Sequence, residues 1–131
     1  MARDFKRYLS NFTCQDSAAI SPDADSSGTK TLVNTASAGN ADGCDEAFIE
    51  VDVTVAPTVA ARCEVYHEPT EQDGAGFAKP IRIGLVDIPT STGKYVVDVQ
   101  GLHKSGNIYL RAIDAGFTAS ANCLPYYRAD T

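Results

Sequence analysis

Lys94-Tyr-Val-Val-Asp-Val-Gln100, Asn107-Ile-Tyr-Leu-Arg-Ala-Ile113 and Thr118-Ala-Ser-Ala-Asn-Cys-Leu124 are three strand-like runs in succession, and their reading decides the fold. Aromatic and β-branched residues are dense in the first two, and Gly101, Gly106 and Gly116 stand where the chain must reverse. The spacing predicts three consecutive strands, a β-meander, against which the rest of the chain pairs.

Working outward, Glu46–Val55 carries the clearest alternation. Ile49, Val51, Val53 and Val55 fall on one face and Glu50, Asp52 and Thr54 on the other, the period of a half-buried strand. Pro57 ends it. Ala61–His67 repeats the pattern, with Ala61, Cys63, Val65 and His67 on the core side. Lys79–Asp87 follows, led by Ile81, Ile83 and Leu85. Glu68–Gly76 and Pro89–Gly93 read as surface turns. Between Cys14 and Asn34 only Thr29–Asn34 has strand character, and Thr35–Asp45 reads as a polar loop. About seven or eight strands with no convincing amphipathic helix predict an all-β fold, a single-domain antiparallel β-sandwich over residues 14–131 preceded by an N-terminal arm, 1–13. With no tryptophan the immunoglobulin hallmark is missing, which favours a jelly-roll-like arrangement.

A length of 131 residues accommodates one core. The net charge of −6 argues against nucleic acid as the main partner, because phosphate binding needs a basic face. Most of that acidity is local: eight acids against the single base Lys30 lie between Cys14 and Asp52. No run approaches the ~20 apolar residues of a membrane span. The charged start Met1-Ala-Arg-Asp-Phe-Lys-Arg-Tyr-Leu lacks the apolar centre of a secretory signal, so the expectation, which Met1 favours, is a protein made in the cytoplasm and staying there, with an already processed chain the alternative. Cys14, Cys44, Cys63 and Cys123 form no C-x-x-C pair, and free thiols are expected, with two disulfides the alternative.

No motif states a chemistry. Asp23-Ala-Asp25-Ser-Ser-Gly28 resembles the opening of an EF-hand loop, but its twelfth position is Asn34 where a bidentate glutamate is required, so a solvated turn is expected. His67 could ligate a metal with Glu68 or a cysteine, though no local spacing supports it. His103 reads as a turn residue. Glu50 and Glu64, on the polar faces of consecutive strands, are the conceivable glycosidase pair, yet such acids ordinarily solubilise a sheet. Tyr66, Tyr109, Tyr126 and Tyr127 could stack on sugar rings if they converge. No catalytic residue, cofactor or metal is therefore expected.

The charged start Met1-Ala-Arg-Asp-Phe-Lys-Arg-Tyr, the Ser/Thr/Ala-rich early segment and the late runs Gly93-Lys-Tyr-Val-Val-Asp-Val99 and Gly106-Asn-Ile-Tyr-Leu-Arg-Ala112 together resemble small jelly-roll or sandwich virion proteins of tailed bacteriophages, in particular those that decorate heads. The resemblance implies a non-enzymatic capsid decoration or cement protein on the outer capsid surface of the virion, bound to the assembled major capsid protein or other virion proteins and forming a homo-oligomer. It carries over no binding residues. Tail, collar or fibre components, or a carbohydrate-binding sandwich, are the alternatives. In a decoration role the basic, aromatic start would make the contacts, through Arg3, Phe5, Lys6, Arg7 and Tyr8; as an ordinary terminus the same stretch forms an edge strand or frays.

Overall fold

The alternation in Glu46–Val55 becomes β4, whose Ala47, Ile49, Val51 and Val53 are almost wholly buried and whose Glu50 and Asp52 face outward. Fully burying each of the larger apolar side chains is worth ~1.5–3 kcal/mol, so the strand's face is fixed by its pattern. The computed structural model describes residues 4–26, 30–32, 44–71, 75–102 and 106–130. Around β4 stand β1 (Asp4–Tyr8), β2 (Phe12–Ile20), β3 (Lys30–Leu32), β5 (Ala61–Pro69), β6 (Ile81–Ile88), β7 (Gly93–Gln100), β8 (Gly106–Ile113) and β9 (Phe117–Asp130). Among the described residues there is no helix.

The strands form two antiparallel sheets of a β-sandwich. One runs β1-β9-β4-β7, with β2 on the same side of β9 as β1, and the other runs β3-β8-β5-β6. The nine segments therefore occupy eight lines, β1 and β2 following one another along β9. The pairs are nested: β5 with β6, β4 with β7, β3 with β8, β2 with β9. Among the described strands only β1 with β2, and β5 with β6, are consecutive members of one sheet, and of these only β5 and β6 pair with each other.

This order overturns the expected meander. β7, β8 and β9 alternate between the sheets, because each offers one apolar face and buries it against the opposite layer. The core lies between, with Ile49, Val51 and Val53 on one layer and Val65, Ile108 and Leu110 on the other. On β9 the inward residues are small. Ala119, Ala121 and Cys123 lie in register with Val53, Val51 and Ile49, so large and small side chains alternate across the pair.

Two strands depart from the sequence reading. β2 was not expected before residue 29, since Thr13, Gln15, Asp16 and Ser17 give no period; bulges at Thr13/Gln15 and Gln15/Ala18 break the alternation, and Cys14 and Gln15 are both buried. β9 runs past Leu124 and through Pro125. Leu9 N donates to Pro125 O at 2.9 Å, so the proline's missing N–H faces the β1/β2 side, where the ladder is interrupted at residues 9–11.

The crossing from β2 to the second sheet is held by buried polar groups. Ser26 N donates to Leu110 O (2.8 Å), Leu110 N donates to Ser26 Oγ (3.1 Å), and Ser26 Oγ donates to Gln15 Oε1 (2.8 Å). Ser26 thus presents to β8 the donor and acceptor that a neighbouring strand would supply.

Candidate partner-binding site

Of the residues expected to make contacts, Arg3 lies outside the described residues and Phe5 is placed by its backbone, opposite Ala129. Lys6, Arg7 and Tyr8 stand opposite Arg128, Tyr127 and Tyr126. Of the two readings of this stretch, the edge strand is what residues 4–8 adopt. The reason is visible in Lys6 and Tyr8, which have a surface to cover. Lys6 Nζ sits 4.7 Å above the centre of the Tyr126 ring and 3.7 Å from Asp98 Oδ2, and the Tyr8 and Tyr126 rings meet at 5.5 Å and 58°. Tyr126 Oη donates to Asp98 Oδ1 at 3.4 Å. Next to it Arg128 Nε and Gln100 Nε2 both donate to Glu46 Oε1.

Tyr126 is consequently only 1% exposed although it belongs to the outer face of its sheet. Burial first, then the carboxylates of Asp98 and Glu46, pushes its phenol above the ordinary value; Arg128 acts the other way. Exposed along this edge are Arg7, Tyr8 at 51% and Tyr127 at 45%. These make a basic, aromatic rim on an acidic protein.

The opposite sheet carries the second cluster. Tyr66 of β5 and Tyr109 of β8 stack at 5.4 Å and 11°. Around them Arg82 pairs with Glu64 (2.9 Å), Arg111 with Asp25 (3.3 Å), and Asn107 Nδ2 donates to Glu68 Oε1 (3.2 Å). Burial, then Asp25, Glu68 and Tyr66, pushes the Tyr109 phenol up to about 12. The four tyrosines do not converge. Tyr66 and Tyr109 lie on one outer face, whereas Tyr126 belongs to the other and is covered by β1.

The remaining chemical candidates are dispersed by the same geometry. Glu50 and Glu64 are on different sheets and point away from each other through the thickness of the sandwich, so they flank no common cleft. His67 is fully buried, with Nδ1 3.2 Å from Asn107 O, while Glu68 lies on the other face of β5. Among the described residues no three His, Cys, Asp or Glu side chains gather as a metal site. Asp25 is neutralised by Arg111, and Asp23 has the left-handed backbone of a turn (φ 57°); Gly28, Asn34 and His103 lie outside the described residues. None of the four cysteines is in a disulfide, and all four are buried. The thiol of Cys14 is pushed well up by its contact with Cys123 and by burial, and burial raises Cys63 to about 12, so neither is a ready nucleophile.

Against models of known families, curated proteins and solved structures, the chain has no match.

Proposed function

We propose that this protein is a non-enzymatic structural component of a virion, a capsid decoration protein that binds the assembled major capsid protein. The observation that carries the reading is the outer edge formed by β1: a strand bearing Lys6, Arg7 and Tyr8 beside Tyr127, on a domain whose net charge is −6. Such an edge offers exposed aromatic area and basic residues together, the combination suited to docking on an acidic protein surface. Repetition over a shell lets weak contacts sum. We read the nested strand order as that of a jelly roll, a rigid body suited to this use.

The test is co-sedimentation with particles. The wild-type chain should pellet with capsids at fixed stoichiometry, and Arg7→Glu with Tyr127→Ala should cut occupancy at least ~10-fold while melting unchanged. Occupancy equal to wild type would sink the reading.

A carbohydrate-binding role draws its support from the Tyr66–Tyr109 pair flanked by Asn107 and Arg111. The pair spends a face of each ring on the other, and a sugar needs a ring face open to solvent. Saturable glycan binding abolished by Tyr109→Ala would favour it over decoration.

A further inference from the structure

Among the described residues β6 and β7 are the outer strands of the two sheets, and they lie on the same side of the sandwich, joined by residues 89–92. Here the core is not sealed. Ile83, Val86, Tyr95 and Val97 pack against it but are only partly buried, and Phe77, Ile81, Leu85 and Val96 are each at least 40% exposed. Natural edges are usually blunted by charge, so a lateral face this apolar marks an interaction surface.

The sequences of the two edges indicate its occupant. On β6 the bulge opposite Val65/Tyr66 makes Ile83 and Gly84 count as one step of the ladder. The strand then reads the same way outward from Leu85: one step brings Gly84 or Val86, two bring Arg82 or Asp87, three bring Ile81 or Ile88. In β7 the centre is Val96, with Tyr95 and Val97 one step away and Lys94 and Asp98 two. An antiparallel pair of identical strands about a two-fold axis sets each residue against its counterpart on the other side of the centre. Such pairing puts Arg82 opposite Asp87, and Lys94 opposite Asp98, of the second copy. Both pairs are opposite charges, to be shared with the partners that Arg82, Lys94 and Asp98 have in their own chain, Glu64, Glu50 and Lys6. Apart from Gln100 at the end of β7, the other positions are apolar or glycine.

The two centres are also level to within about one residue, ~3.3 Å. A β-carbon on Gly84 would lie 3.2 Å from Val97 and 3.0 Å from Val99, which sets Leu85, the next residue, beside Val97 and next to Val96. One axis through Leu85 and Val96 therefore serves both sheets. Two eight-residue edges of ~27 Å, in sheets ~10 Å apart, give a footprint of roughly 500 Å² per copy once side chains are included, near the ~1,000 Å² total of a specific interface.

We propose that this edge is the interface of a two-fold homodimer in which β6 pairs with β6 and β7 with β7 of a second copy, making each four-line sheet one of eight. A different protein would have no reason to match two mirrored strands at once. The proposal stands apart from the capsid role, since it concerns the free protein.

Sedimentation equilibrium of the whole chain at about 100 μM tests it. The expected mass is twice 13.9 kDa. Leu85→Lys and Val96→Lys each put two like charges on the axis and should yield monomer with an unchanged far-ultraviolet circular dichroism spectrum. A Leu85→Cys chain treated with oxidised glutathione should crosslink to itself, two thiols giving one disulfide as each oxidised glutathione leaves as two reduced molecules. A Val59→Cys chain, altered at a residue 57% exposed on the β4–β5 connection, should not. A wild-type monomer, a dimer that survives both lysines, or a Leu85→Cys chain that stays uncrosslinked would each overturn the interface.

Discussion

Replacing Ser26 by alanine removes one oxygen and strands two buried groups, Gln15 Oε1 and Leu110 N–H. Gln15 is fully buried and Ser26 8% exposed, so water is a poor substitute for either lost bond. Each unsatisfied group costs about 1–3 kcal/mol, which places Ser26→Ala at about 2–6 kcal/mol. In a domain of this size that lowers the melting temperature by roughly 10 °C. Gln15→Leu alone leaves the serine hydroxyl without its acceptor and takes the amide donor from Asp16 O, and should cost about 1–3 kcal/mol. The double variant removes both partners of the Gln15–Ser26 bond, so it should be less destabilised than the two singles added, by about 1–2 kcal/mol. Urea melts of the four proteins close the cycle, and amide exchange at Leu110 should accelerate in Ser26→Ala alone and in the double. If Ser26→Ala lies within about 0.5 kcal/mol of wild type, or the cycle is strictly additive, the bridge between β2 and β8 does not hold the crossing as argued.

Three further outcomes are expected. Gly106→Ala would drive a β-carbon to 2.5 Å from Glu68 O and 2.8 Å from Pro69 Cα, backbone atoms of β5 with no room to swing aside, so it should destabilise by about 1–3 kcal/mol or more in a thermal melt. Gly101→Ala meets nothing within 4 Å and costs only the strain of φ 82°, about 1 kcal/mol, so the reverse ranking would be refuting. Because Tyr109 holds its proton to about 12 when folded and to about 10 when unfolded, the folded state binds more protons between these values; stability should fall as pH rises through that window, and Tyr109→Phe should flatten the slope seen in alkaline urea melts. Removing residues 1–10 uncovers Tyr126 and the edge of β9, so the shortened chain should melt lower by about 1–3 kcal/mol, and an unchanged melt would mean that β1 is not seated on that edge.

The sequence made β4 and β5 readable because their alternation has no interruption, and the same parity put His67 in the interior. β2 escaped notice because its bulges bury Cys14 and Gln15 side by side, which erases the period on which the reading depends. Residues 118–124 were recognised as a strand but not its reach to Asp130, since a proline is expected to stop one; only the gap in the neighbouring ladder makes Pro125 tolerable. The supposed meander failed for a different reason. Short connections between strands fix neither sheet, and the partners of β7, β8 and β9 are chosen by burial far along the chain. At the candidate site, Lys6 and Tyr8 were legible as a basic, aromatic stretch, but that they roof Tyr126 depends on a pairing across more than a hundred residues.

The placing of β9 between the β1/β2 line and β4 has a consequence for the order in which the layers close. β4 can pair with β7 before β9 arrives, whereas among the described strands β1 and β2 have β9 alone as ladder partner, roughly a hundred residues further along the chain. The β5–β6 hairpin and the β4–β7 pair can form first, and the closing of that long loop, which costs the most chain entropy, is the step that completes the sheet.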